Sequence, residues 1–159
     1  MGGARNRADP SLMFAALDMG QKMLVIGGIL SLLASAMHIA IIVGGPDWYR
    51  FFGAGEAMAQ MAEKGSAYPV IITLAIAAIL AIWAWFAFAG AGLLWRPPLL
   101  RTGLFAISAV YLLRGLVLVP MFFVTPDKIN AFAIWSSLIV LIYGFFYSFG
   151  TWKSWASLS

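Results

Sequence analysis

The chain has 159 residues, of which 63% are hydrophobic and 10% are charged, with a net charge of +4 and a mean hydropathy of +0.93. Soluble domains carry roughly 25% charged residues, so this composition indicates a single integral membrane domain over residues 1–159. The absence of cysteine excludes disulfides, thiolate metal sites and cysteine nucleophiles. Because there is also only one histidine, we expect no metal site made of several imidazoles. We expect no catalytic residues, since the apolar runs contain no nucleophile–base pair and no carboxylate cluster.

The N-terminal segment, residues 1–22, is predicted to be a cytoplasmic tail. Asp9 followed by Pro10 is typical of a helix cap and first turn, so a short surface helix is expected over residues 10–19. An alternative is a signal peptide cleaved after Ala34-Ser35-Ala36. The apolar run continues to Val43, however, and thus reaches the length of a full membrane span.

Four long apolar runs follow the tail, at about residues 23–43, 67–94, 102–124 and 131–152. Each is near or above the roughly 20 residues that a membrane-spanning helix needs. Aromatic residues that suit a membrane interface lie at the ends of the runs: Trp48, Tyr68, Trp95, Trp152 and Trp155. Because the connections are short, the sequence predicts an all-α membrane protein, a four-transmembrane-helix up-down bundle.

The first connection, residues 44–66, is predicted to be an amphipathic helix in the outer interface. At helical spacing its apolar face comprises Trp48, Phe51, Phe52, Gly55, Met58, Ala59 and Ala62. Its polar face comprises Tyr49, Glu56, Gln60, Glu63 and Lys64. Gly53-Ala54-Gly55 should weaken the middle of the helix. The helix is either a simple surface element or a lid that brings Glu56 to buried polar groups.

Two other connections contain clear helix-ending signals. Trp95-Arg96-Pro97-Pro98 cannot continue a helix and predicts a tight turn. Thr125-Pro126-Asp127 is interpreted as the cap and first turn of the fourth helix.

Basic residues are distributed unequally between the two ends of the predicted bundle. One end carries Arg5, Arg7, Lys22, Arg96, Arg101 and Lys153, whereas the other carries Arg50, Lys64 and Lys128. The positive-inside rule therefore places both termini in the cytoplasm. In its general appearance the chain resembles small multi-span proteins of bacterial inner membranes, so we expect that location. Because the basic residues flank apolar runs, they suit the lipid bilayer as partner and not nucleic acid.

Small and polar residues repeat at helical spacing within each run. The stripes are Gly28, Ser31, Ser35 and His38; Thr73, Ala77 and Ala81; Ser108, Tyr111 and Gly115; and Ser137, Gly144, Ser148 and Thr151. Small residues allow helices to approach closely in lipid. We therefore expect these stripes to face the helix contacts.

Arg114 is the only charged residue inside any of the four predicted runs. A guanidinium at that depth costs at least ~2.5–3.5 kcal/mol on insertion scales, so it is expected to face a protein interior or a wet cavity. Pro120 should kink the same helix and free a carbonyl near Arg114. Counted from the outer helix ends, His38 and Arg114 lie roughly 7–8 Å and 15 Å deep. The sequence therefore predicts a buried polar or ligand-binding site formed by Arg114, His38, Tyr111 and Glu56.

These features favour a non-catalytic accessory or interaction protein, either as a homo-oligomer or with a larger membrane partner. The alternatives are a small transporter or channel for an anion or proton, and a lipid- or quinone-binding bundle. The resemblance to small four-span multidrug exporters is limited to the number of spans, because no Asp or Glu lies inside a run. No cofactor is expected, since one histidine supplies only one of the two axial ligands typical of membrane haem.

Overall fold

The computed structural model describes residues 14–158, which form helices and no strands. The helices are α1 (Met19–Gly44), α2 (Pro46–Phe51), α3 (Glu56–Glu63), α4 (Tyr68–Gly90), α5 (Leu100–Leu116), α6 (Leu118–Val124) and α7 (Ala131–Lys153), with 3-10 turns at Pro126–Lys128 and Trp155–Leu158.

Four segments are long and apolar enough to cross a membrane: α1, α4, the α5–α6 segment Leu100–Val124, and α7. This confirms the number of long apolar helices expected from the sequence. Of the surface helix expected over residues 10–19, residues 10–13 lie outside the described residues, and in the rest the chain is helical over residues 14–16 and leaves the helix before Asp18. α1 begins at Met19 because Asp18 caps it: the Asp18 side chain accepts from the Gln21 backbone, and the Gln21 side chain accepts from the Asp18 backbone.

The long helices pack most extensively in three pairs, α1 with α4, α5 with α7, and α1 with α7, while α4 and α5 share a smaller contact. Glycines bring the backbones together at two of these contacts. A Cβ added at Gly150 would lie 3.0 Å from the Leu24 nitrogen of α1, and one at Gly115 would lie 3.0 Å from the Leu141 nitrogen of α7. Side chains larger than hydrogen would therefore separate these helices.

The small-residue stripes face the interior, as expected. Buried members from all four long segments are Gly28, Ser31, Thr73, Ala77, Ser108, Tyr111, Gly115, Ser137, Gly144 and Thr151. Conversely, large aliphatic and aromatic side chains cover the outside of the bundle. This distribution suits a molecule surrounded by lipid, because its apolar exterior needs no shielding there.

The first connection differs from the single amphipathic helix expected over residues 44–66. It forms two short helices, because Gly53 and Gly55 adopt positive φ angles of 72° and 96° and end the helical path between them. Within the first of these helices the buried face also differs from expectation: Tyr49, expected on the polar face, is buried, whereas Phe51, expected on the apolar face, is exposed. Tyr49 packs against Ile41 and Ala59 and thereby holds the connection to α1.

The third span and the start of the fourth helix also depart from expectation. The third span is interrupted at Val117, three residues before Pro120, so the expected kink appears as a break between α5 and α6. Thr125-Pro126-Asp127 does not cap the fourth helix, since Pro126–Lys128 forms a separate 3-10 turn. The cap of α7 is Asn130, whose side chain accepts a 2.8 Å bond from the Ala133 nitrogen.

Candidate functional site

A chain of buried hydroxyl groups joins all four long segments at the centre of the bundle. Ser31 Oγ of α1 lies 2.8 Å from the hydroxyls of both Tyr111 of α5 and Tyr147 of α7. The Tyr147 hydroxyl donates to the Trp83 carbonyl of α4 at 3.0 Å. Ser31 and Tyr147 are fully buried, so these bonds are sheltered from solvent.

The direction of this chain follows from proton counting. Each hydroxyl has one hydrogen to donate, and the carbonyl of Trp83 can only accept. Since Tyr147 gives its hydrogen to Trp83, Ser31 must donate to Tyr147 and Tyr111 must donate to Ser31. All three hydroxyls are thereby used, and bonds aligned in one direction reinforce one another.

Aromatic rings surround the same point. The Tyr111 ring centroid lies 4.8 Å from that of Trp83, 5.2 Å from that of Tyr147 and 5.5 Å from that of Tyr143. The rings of Trp83 and Tyr111 meet edge to face, which is a favourable arrangement for aromatic pairs. The centre of the bundle is therefore a closed packing unit whose polar groups satisfy each other.

Arg114 does not face this centre. The residue is exposed, although it sits in the last turn of α5 within the third span. Its Nη1 donates to Ser137 Oγ at 3.2 Å and its Nη2 donates to Ser136 Oγ at 3.5 Å, both on α7. Ion pairs in residues 14–158 involve Arg50 and not Arg114, so the charge of Arg114 lacks a carboxylate within that part of the chain.

Other exposed residues of α5 share the face of Arg114. Val110 lies four residues before Arg114, Leu113 directly before it, and Val117 three residues after it. This is the spacing of one helical stripe. α6 continues this apolar surface with Phe122 and others, and it contributes no buried residue to the bundle. We call Val110, Leu113, Arg114 and Val117 the Arg114 face.

His38 takes part in a local contact only. Its Nδ1 lies 2.7 Å from the carbonyl of Ala34, one turn earlier in α1. A carbonyl accepts, so Nδ1 carries the hydrogen in this contact. The neighbouring stripe residue Ser35 instead bonds across helices, donating to the Ala77 carbonyl of α4 at 2.8 Å.

Glu56 pairs with an arginine of its own connection. Arg50 donates to it from Nε and from Nη2, each at 2.9 Å, and Nη2 also donates to Glu63 at 2.8 Å. These bonds to Glu56 and Glu63 raise the pKa of Arg50 above its usual range, and the bond from Arg50 lowers the pKa of Glu56. The pairing joins α2 to α3 across the glycine break.

The four residues expected to form one site thus have separate partners within residues 14–158. Tyr111 bonds Ser31, Arg114 bonds Ser137, His38 bonds Ala34 and Glu56 bonds Arg50. Glu56 pairs with Arg50 because both lie in one short connection. Arg114 lies deeper along its helix, inside the third span.

Sequence reasoning placed Ser31 on an interior stripe but missed its bonds to the two tyrosines. The usable signal is Ser31 and Tyr111 on the interior stripes of the first and third spans. Tyr147 lies beside the stripe of the fourth span, and only tertiary packing brings the three hydroxyls together. Comparisons of the chain with protein-family models, curated proteins and solved structures gave no match.

Proposed function

We propose that this chain is a multi-pass protein of a bacterial inner membrane, arranged as an up-down bundle with both termini in the cytoplasm. The contacts between helices that follow each other in the chain, α1–α4, α4–α5 and α5–α7, support this order, as does the closing contact α1–α7. The excess of basic residues at the end that carries the termini supports the orientation. In this orientation α2 and α3 lie at the outer interface.

Its role in this proposal is non-catalytic: it binds a membrane helix of another protein through the Arg114 face. The supporting observation is the exposed guanidinium of Arg114 within a span, whose hydrogen bonds within residues 14–158 go to Ser136 and Ser137. Charged residues at membrane depth almost always face protein or water. An exposed arginine on an otherwise apolar stripe is therefore most stable when another protein covers it.

The chemistry of the partner follows from the charge. Arg114 needs an acceptor of negative charge, and the four long segments of this chain contain no Asp or Glu. A second copy of the chain could thus offer no carboxylate from its spans. The partner is consequently a different protein, with an Asp or Glu inside a span and an apolar stripe that packs against Val110, Leu113 and Val117.

The bundle interior favours this role over transport. The hydroxyls of Ser31, Tyr111 and Tyr147 are used in bonds to each other and to the Trp83 carbonyl. A path for an ion or proton would need polar groups that are available to the moving species. The central chain supports a fixed structural role instead.

Site-specific cross-linking in cells tests the proposal. A photoreactive residue at Val117 should give one discrete adduct, and mass spectrometry should identify a protein with an acidic residue in a span. The same residue at Ile79, exposed on α4, is the matched control and should not give that adduct.

The Val117 adduct should depend on the charge of residue 114. Arg114→Leu should abolish the Val117 adduct, and Arg114→Asp combined with arginine at the partner's acidic position should restore it. Arg96→Leu, at the end of the bundle, should leave it unchanged. An adduct that survives Arg114→Leu, or a partner without an intramembrane acid, would refute the proposal.

A further inference from the structure

A groove opens between α5 and α7 at the end of the bundle that carries Arg101 and Lys153. It has a volume of about 830 Å³. Its apolar wall includes Phe105, Ala109 and Leu112 of α5. The groove is separate from the Arg114 face and from the central hydroxyl chain.

Two hydroxyls on the α7 side of the groove have no hydrogen-bond partner within residues 14–158. Ser148 Oγ and Thr151 Oγ1 are buried atoms without a bond, and Thr151 as a residue is only 4% exposed. Serines and threonines inside helices commonly donate to the carbonyl one turn earlier. Ser108, on the opposite wall, does so by donating to Leu104 at 2.7 Å. Ser148 and Thr151 therefore retain hydrogens that a ligand can accept.

Positive charge lies at the mouth of the same groove. Lys153 is a lining residue, and the guanidinium carbon of Arg101 lies 3.7 Å from the ring centroid of the lining residue Trp155. Stacking on the ring leaves the in-plane N–H groups of Arg101 able to bind an anion. α5 and α7 contain no acidic residue that would oppose a negative ligand.

The spacing of these groups along α7 matches the layers of a lipid molecule. Thr151 and Ser148 precede Lys153 by two and five residues, which corresponds to roughly 3 and 7.5 Å along the helix. The polar layer on each side of a bilayer is roughly 5–7 Å thick. With the amine at phosphate level, this spacing puts the two hydroxyls where the polar layer meets hydrocarbon.

We propose that this groove binds one glycerophospholipid with an anionic headgroup. Lys153 and Arg101 bind the phosphate, and Thr151 and Ser148 donate to the ester carbonyls. One acyl chain lies along Phe105, Ala109 and Leu112. Basic pockets between membrane helices are known to select anionic lipid headgroups, and here the unpartnered hydroxyls add a second point of recognition below the charge.

Native mass spectrometry of the full chain in mild detergent tests the site, with phosphatidylglycerol, phosphatidylcholine and a menaquinone as probes. The wild type should bind one phosphatidylglycerol more tightly than phosphatidylcholine. Thr151→Val combined with Ser148→Ala should weaken phosphatidylglycerol binding about tenfold, equivalent to about 1.4 kcal/mol. Lys153→Gln should remove the preference between the two lipids.

Two control variants keep the test specific. Lys64→Gln removes a basic residue at the opposite end, and Ser157→Ala removes a hydroxyl outside the groove; both should bind as the wild type does. If the hydroxyl variant misfolds, Lys153→Gln still tests headgroup selection. Equal binding by wild type and Lys153→Gln would overturn the proposal, as would displacement of phosphatidylglycerol by the menaquinone.

Discussion

The hydroxyl of Ser31 lies 2.8 Å from the hydroxyl of Tyr147, and this contact joins α1 to α7 in the middle of the bundle. Through Tyr111 and the Trp83 carbonyl, the same serine connects the other two long segments. A single small side chain is thus the middle link of the polar core, accepting from Tyr111 and donating to Tyr147.

Ser31→Ala is expected to destabilise the protein by about 1–2 kcal/mol, because it leaves the buried Tyr111 hydroxyl without its acceptor and Tyr147 without its donor. Reversible unfolding in mixed micelles measures the change. Ser157→Ala, whose hydroxyl bonds only the nearby Ser154 carbonyl, should cost much less. Equal losses in the two variants would contradict a special role for Ser31.

Gly150→Ala should destabilise the α1–α7 contact by about 1–3 kcal/mol, the usual cost of overpacking. The added Cβ would meet backbone atoms of Leu24 and Gly20 at 3.0 and 3.1 Å, and these cannot move aside without separating the helices. Gly28→Ala is the matched control, since the three atoms nearest its added Cβ belong to the side-chain ring of Phe88 and not to backbone. The same unfolding assay should rank Gly150→Ala as clearly worse.

Arg114→Leu is expected to leave the isolated bundle as stable as wild type or more stable. The exposed guanidinium loses only serine contacts, and its insertion cost disappears. The sequence-based expectation of a buried pair would instead give a loss of roughly 3–5 kcal/mol. Unfolding of the purified variant distinguishes the two, and a large loss would place Arg114 in a buried pair after all.

Acidification should loosen α3 from α2. Arg50 lowers the pKa of Glu56 below its usual value of 4.5, so the pairing contributes stability above pH 4.5 and loses it as the pH falls through the lowered pKa. Amide-exchange protection factors in α3, corrected for intrinsic rates, should decline in that acid range. Glu56→Gln should remove the dependence, whereas Asp127→Asn should keep it. The effect is small because Glu56 is exposed and Arg50 is partly exposed, so solvent screens the pair.

Reporter fusions test the orientation. Fusions after Pro98 and after Ser159 should report cytoplasm, and one after Lys64 should report the outside, because the basic residues concentrate at the first end. A periplasmic signal after Ser159 would reverse the orientation.

The intact mass of the protein should also retain residues 1–36, and their loss would instead support the signal peptide.

Much of the architecture was predictable from local pattern. Apolar runs of spanning length and small residues at helical spacing depend on composition along one helix, so the four long segments and their interior stripes could be predicted. Helix ends were harder to predict. Gly53 and Gly55 were expected only to weaken a helix, whereas in the structure they end it. Asn130 caps α7, although Thr125 was expected to do so.

The polar site could not be predicted, because the rotation of each helix about its axis decides which side chains meet. Arg114 and Tyr111 lie on the same helix three residues apart, a spacing that allowed both to face one pocket. The close approach of α5 to α7 at Gly115 and Gly144 turns Tyr111 inward to Ser31 and leaves Arg114 outside against Ser137. The sequence by itself determined that the chain has four segments long and apolar enough to span a membrane, with one charge, Arg114, in the middle of the third. The tertiary structure decided that this charge faces outward, since glycine contacts between helices set their rotation.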